Sequence, residues 1–217
     1  MTPTWMTGLR VSIFLLALVP LARLFYLGFN DGLGANPIEF VTRSTGTWTL
    51  VFVCIALAVT PLRKLTGRAW ILRFRRMLGL YAFFYCALHL MTYVWFDQFF
   101  EWTEMWRDVV KRPFIAAGFI GFVLMVPLAV TSNAFSMRKL GRNWHQLHKL
   151  VYLVAPAGII HFWWHKAGKN DLFEPFIYGS IVVVLLALRV YWTRSKAAKR
   201  RPVAPAAPVN SVVSARR

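Results

Sequence analysis

Apolar residues in this chain run in long blocks, and polar residues gather between the blocks. Six blocks stand out, at about Leu9–Phe29, Gly46–Leu62, Met77–Phe96, Pro113–Ser132, Trp144–His165 and Phe173–Trp192. Each approaches the roughly 20 apolar residues that a helix needs to cross a bilayer core of about 30 Å. A block that is apolar all round has no face for water, so it predicts a helix in lipid. The first block is long for a secretory leader, lacks a small-residue cleavage motif, and reads as an anchored span. Pro113 after Arg112 suits the first turn of a helix. Asn36-Pro37 and Thr60-Pro61 mark boundaries, while Pro127 and Pro156 predict kinks inside spans. The predicted fold is all-α, a bundle of six transmembrane helices over residues 1–195. Residues 196–217, rich in Ala, Pro, Val and basic side chains, read as a flexible basic cytoplasmic tail against anionic lipid. No internal sequence repeat is visible.

Charge gives the bundle a direction. All eight acids (Asp31, Glu39, Asp97, Glu101, Glu104, Asp108, Asp171 and Glu174) follow spans one, three and five. The stretch from Arg63 to Arg76 is basic without an acid, as are the connection after span four and the tail. The positive-inside rule then sets both termini in the cytoplasm and the acidic segments outside.

Composition agrees with that class. Hydrophobic residues make up 58% and charged residues 16%, against roughly 25% charged in a soluble domain. The formal net charge of +18 raises nucleic-acid binding, but the near absence of charge inside the blocks argues for a membrane and no nucleic acid. No glycine-rich phosphate or dinucleotide motif occurs. The two cysteines, Cys54 and Cys86, lie inside spans and read as small buried hydrophobes. No serine–histidine–acid set is suggested, because every acid lies on the outer connections.

The chemistry rests on five histidines: His89, His145, His148, His161 and His165. An ionisable side chain inside a span is costly and points to function, and imidazole is a common axial ligand of haem iron. Counting along spans three and five puts His89 and His161 at one outer level. His148 falls about 20 Å further in, at 1.5 Å per residue. Two imidazoles on different helices at one depth predict a six-coordinate b-type haem, so His89, His161 and His148 are the expected metal ligands. His145 and His165 lie near the interface and read as solvated or snorkelling. On an ideal helix His148 and His161 stand about 140° apart, and Pro156 between them permits a local distortion that changes the register. The inner level lacks a second histidine. Three arrangements follow: one outer haem, an inner haem with histidine on one side only, or an inner haem with an unusual ligand. Arg75 and Arg76 suit haem propionates or a flavin phosphate, Gly79 would let a flat macrocycle approach, and Arg23 would serve an outer propionate. A flexible loop reading aside, the acidic stretch Asp97–Asp108 is a candidate docking surface. Trp95, Trp102, Trp106, Trp163 and Trp164 read as an outer aromatic belt.

Several motifs resemble one family. They are Gly32-Leu33-Gly34-Ala35-Asn36-Pro37, Arg75-Arg76-Met77-Leu78-Gly79-Leu80, Leu88-His89-Leu90, Pro127-Leu128-Ala129-Val130-Thr131-Ser132, and Trp144-His145-Gln146-Leu147-His148-Lys149-Leu150-Val151-Tyr152-Leu153. Over about Leu9 to Trp192 the chain resembles the MsrQ (YedZ) family, haem-binding membrane subunits within the ferric-reductase-like transmembrane proteins. The resemblance implies haem b on histidines matching His89, His148 and His161, and FMN as a further cofactor. It implies a bacterial inner-membrane location and a periplasmic molybdopterin partner, MsrP, that reduces methionine sulfoxide in damaged proteins. It implies electrons from the quinone pool or a cytosolic flavin reductase. The catalytic site would then lie on the partner. Larger relatives carry two histidines on each of two helices, and this chain keeps three of the four positions. Two other readings stay open: a stand-alone transmembrane metalloreductase, and a haem-free metal or proton transporter.

Overall fold

A computed structural model describes residues 4–168 and 170–199. All regular structure in it is helical. In chain order the helices are α1 (Thr4–Phe29), α2 (Pro37–Thr66), α3 (Arg75–Thr92), α4 (Trp102–Lys111), α5 (Pro113–Val130), α6 (Ala134–Leu140), α7 (Arg142–Leu147), α8 (Val151–Ala167) and α9 (Phe173–Lys199). Short 3₁₀ turns at Ala69–Phe74 and His148–Leu150 lead into α3 and α8, and a π-turn at Tyr93–Asp97 ends α3.

Among the described residues, five segments are long and apolar enough to cross a membrane: Thr4–Phe29, Pro37–Thr66, Ala69–Asp97, Pro113–Val130 and Phe173–Ser195. The expected fifth span, Trp144–His165, is not one helix. Gly141 turns the chain with φ 51°, α7 stops at Leu147, and α8 begins only after the 3₁₀ turn. The register change therefore sits at His148–Leu150, before Pro156, which lies inside α8. The second span also exceeds its expected length, because Asn36 caps it ten residues before Gly46. The Asn36 side chain accepts from the Glu39 N–H at 3.1 Å, and Pro37 fills the first helical position. Gly67, with φ 70°, ends it. Helix α9 runs four residues past the expected boundary at 195. Residues 200–217 of the predicted tail lie outside the described residues.

Two antiparallel helix pairs form the bundle: α2 packs on α3, and α5 packs on α8, with α9 closing against α2 and α8. The core between α2 and α3 is aromatic. Phe52 stacks on Tyr85 with centroids 5.3 Å apart and on Tyr81 at 5.5 Å. Each tyrosine then spends its hydroxyl on α1. Tyr85 donates to the Ala17 carbonyl at 2.8 Å and Tyr81 to the Phe14 carbonyl at 2.9 Å. The two tyrosines are one turn apart, so they meet α1 on one face. Leu16, Phe25, Val123, Val130 and Val183 are exposed around the outside. Such a continuous apolar surface suits lipid.

On the acidic side, α4 presents Trp102, Trp106 and Val110 outward along one face. Asp108 turns the other way, accepting from Gln98 Nε2 at 2.9 Å and the Tyr93 hydroxyl at 3.3 Å and pairing with Arg112 at 3.3 Å. It is thus a brace for the segment rather than a free docking charge. Glu101 and Glu104 stay exposed, and Glu104 pairs with Arg107. Cys54 and Cys86 are free thiols.

A histidine pair between two helix pairs

His89 is carried by α3 and faces α2. Its Nδ1 donates to the Thr42 carbonyl at 2.9 Å. The imidazole can lie this close because the next turn of α2 has Gly46, where an added Cβ would stand 3.0 Å from the ring's Cε1. His161 is carried by α8 and repeats the arrangement against α5. Its Nδ1 donates to the Phe114 carbonyl at 2.6 Å, and a Cβ at Gly118 would stand 2.7 Å from that nitrogen. In both pairs the carbonyl precedes its histidine by 47 residues. In both, the glycine precedes it by 43.

This duplication was missed in the sequence, where no repeat was visible. Its signal is slight: one carbonyl, which any residue supplies, and one glycine four residues on. Only the helix pairing makes the spacing meaningful.

The two rings come together. Their centroids are 6.0 Å apart with planes at 72°. The Nδ1 bonds fix each ring's tautomer and orientation, leaving Nε2 as the nitrogen available for another partner. Both rings are half-buried. Phe114 also flanks His161 and His165, at 6.2 and 5.7 Å between centroids. Within one turn of Gly46, α2 carries two buried polar atoms without a partner among the described residues, Thr42 Oγ1 and Arg43 Nε. Arg43 also pairs with Glu39. Arg43 was not singled out by sequence; Arg23 was. Arg23 is exposed, its guanidinium 5.9 Å from the Phe40 ring centroid.

His148 stands apart from this pair, in the 3₁₀ turn before α8. Trp144 stacks on it at 3.8 Å between centroids, and its Nδ1 donates to the Trp144 carbonyl at 3.1 Å. Ser132 Oγ lies 3.4 Å from its Nε2. The Trp144 indole is itself held by the Thr131 carbonyl at 2.9 Å. Of the arginines expected near this level, Arg75 is half-buried and within electrostatic reach of His148. Arg76 is exposed, with Nη1 3.8 Å from Met137 Sδ. A Cβ at Gly79 would meet nothing within 4 Å, so open space lies beside that turn of α3. His145 is exposed, with its ring 5.2 Å from Trp144. Among the described residues no three His, Cys, Asp or Glu side chains converge as a metal cage.

Comparison with known proteins returns one consistent answer. A family model described as ferric reductase like transmembrane component matches residues 41–159, which cover most of both helix pairs and include His89 and His148, ending two residues before His161. A protein from Herminiimonas arsenicoxydans named protein-methionine-sulfoxide reductase heme-binding subunit MsrQ is 52% identical over 94% of this chain and 94% of its own length. Proteins of the same name are 55% identical in Ralstonia nicotianae, over 88% of each chain, and 42% identical in Xanthomonas euvesicatoria, over 95% of this chain and 98% of the relative.

Proposed function

Since the chain belongs to the MsrQ haem-binding subunits of the ferric-reductase-like transmembrane family, we propose that it is a membrane cytochrome b holding an iron porphyrin between His89 and His161. The observation that carries this reading is the ring separation. His89 and His161 would hold the iron through their Nε2 atoms, and a metal–imidazole bond of about 2.0–2.1 Å on each side, with about 1 Å from each nitrogen to its ring centre, would call for ring centres about 6 Å apart. The rings stand 6.0 Å apart. The donor set fits the group in two further ways. Gly46 and Gly118 give each ring room, and Thr42 Oγ1 and Arg43 Nε are unspent donors beside the pair, suited to carboxylates. When bound, the iron porphyrin supplies one-electron exchange.

The chain's own residues bind, orient and insulate. The Thr42 and Phe114 carbonyls hold both Nδ1 protons, so each ring presents Nε2 and raises its basicity through that bond. The apolar walls of α2, α3, α5 and α8 keep water from the pair. His148, with Arg75, Arg76 and the open space beside Gly79, forms the inner end, where a second haem or FMN would stand.

In this reading α8 is the sixth crossing. Its 17 residues reach about 26 Å at 1.5 Å per residue, and the 3₁₀ turn and α7 complete the depth. Both termini lie in the cytoplasm of a bacterial inner membrane, and α4 lies on the periplasmic side. Electrons enter from the quinone pool or a cytosolic flavin reductase and leave to a periplasmic MsrP-type molybdopterin subunit that repairs oxidised methionines. The relatives' name supports a reductase partner; the acidic face of α4 suits its docking through Glu101 and Glu104.

The test is reoxidation of the reduced, haem-loaded chain. The proposal expects fast reoxidation only when both the periplasmic partner and methionine sulfoxide are present. Equal reoxidation by chelated ferric iron without the partner would make it a stand-alone metalloreductase.

A further inference from the structure

The basic half of the bundle carries a second arrangement that the histidine pair does not use. Arg189 of α9 turns into the bundle. One of its terminal nitrogens donates to the Tyr152 hydroxyl, and the guanidinium lies 5.1 Å from the Tyr152 ring centroid. The other donates to Thr60 Oγ1 at 3.0 Å and reaches the Leu57 carbonyl at 3.4 Å. Its Nε is buried with no partner among the described residues. Among the described residues the groups that hydrogen-bond Arg189 are all neutral. Arg75, at the first turn of α3, is half-buried and within electrostatic reach of Arg189 and Tyr152.

Among the described residues no acid is near to balance them. All eight fall at 31–39, 97–108 and 171–174, on the opposite side of the bundle. Two guanidiniums of one sign therefore share a low-dielectric region without a carboxylate, which is costly. Two donors there are also unspent. Arg189 Nε is one. The Tyr152 hydroxyl is the other, because it accepts from Arg189 and keeps its own proton to donate.

We propose that Arg75, Arg189 and Tyr152 form an oxyanion site, entered from the basic face, that takes a phosphate group. The paired cations supply the charge, the guanidinium fork matches phosphate oxygens, and the Tyr152 hydroxyl adds a neutral donor. The phosphate comes from an anionic lipid headgroup or from a soluble phosphate ester. The site shares no residue with the His89–His161 pair, and through Arg75 it adjoins the inner end assigned above to a second haem or FMN.

The experiment measures thermal unfolding of the full haem-loaded chain in an uncharged detergent. Inorganic phosphate is compared with chloride at matched ionic strength. Separately, nanodiscs of phosphatidylcholine are compared with nanodiscs containing phosphatidylglycerol. The unfolding temperature is expected to rise with phosphate, with phosphatidylglycerol, or with both, and the arm that responds names the source. Arg75→Gln should raise the unfolding temperature without any anion, because it removes a like charge, and should abolish the anion-dependent rise. Tyr152→Phe keeps the ring under Arg189 and should shrink the rise. Arg189→Gln should abolish it, and the other two variants keep the test decisive if this one does not fold. An anion-dependent rise that persists unchanged in Arg75→Gln and Tyr152→Phe would overturn the site, as would its absence in the wild type. A loss of bound haem in Arg75→Gln without any phosphate effect would also overturn it, assigning the cation to porphyrin carboxylates.

Discussion

The outer and inner levels of this bundle are built on the same two helix pairs, and they differ in how their histidines are held. At the outer level each imidazole has a carbonyl for Nδ1, a glycine for clearance, and the other imidazole across a gap of 6.0 Å between centroids. At the inner level His148 is covered by Trp144 at 3.8 Å and has Ser132 beside Nε2. The 72-residue offset that aligns His89 with His161 sets Arg76 against His148. Two-fold likeness thus survives at one level and is broken at the other. A repeated frame gives two matched ligands only where both copies keep the same residue, and here the inner copies keep a cation and an imidazole.

The sharpest way to break the comparison is to remove the ligands. His89→Ala or His161→Ala is predicted to remove most haem per chain, measured by pyridine haemochrome, while His148→Ala removes less or only a spectrally distinct component. Equal losses from all three would erase the distinction between levels.

A smaller effect should come from the glycines. An added Cβ at Gly118 would fall 2.7 Å from His161 Nδ1, so Gly118→Ala must displace the ring or the helix. Overpacking of this kind costs about 1–3 kcal/mol, and haem retention should fall. Gly46→Ala, where the Cβ would stand 3.0 Å from His89 Cε1, should lower it less. Gly79→Ala, with open space around it, should change the outer signal least. The reverse order would sink the clearance argument.

Smaller again is Tyr85→Phe. It removes the bond to the Ala17 carbonyl from a fully buried ring and should cost about 1 kcal/mol of stability with haem content unchanged. Trp144→Leu should remove a stacking contribution of about 0.5–1.5 kcal/mol and alter only a spectral component that depends on His148. A change in the outer signal would show that the two levels are coupled.

What could be read from the chain follows from what is local in it. Apolar length is local, so α1, α5 and α9 were legible from hydropathy. The depth of His89 and His161 follows from counting along helices, so their meeting was legible too. The break at Gly141 and His148–Leu150 was not, because it depends on α7 packing its Trp144 against the end of α5. Pro156 pointed to a distortion in the right helix but at the wrong turn. Gly46 and Gly118 were invisible as site residues because a glycine declares its purpose only when the neighbouring helix is in place. Arg189 carries no local signal of its place, since nothing in its sequence neighbourhood shows that it turns inward to Tyr152. Asp108 looked like a docking charge for the same reason, its three partners being supplied by the fold.

The central claim is most directly tested by electron paramagnetic resonance of the oxidised, haem-loaded chain and its histidine variants. The account predicts a low-spin ferric signal from two imidazole ligands that is retained in His148→Ala and lost in His89→Ala and in His161→Ala. The same signal at full intensity in the His89→Ala, His161→Ala double variant would contradict it.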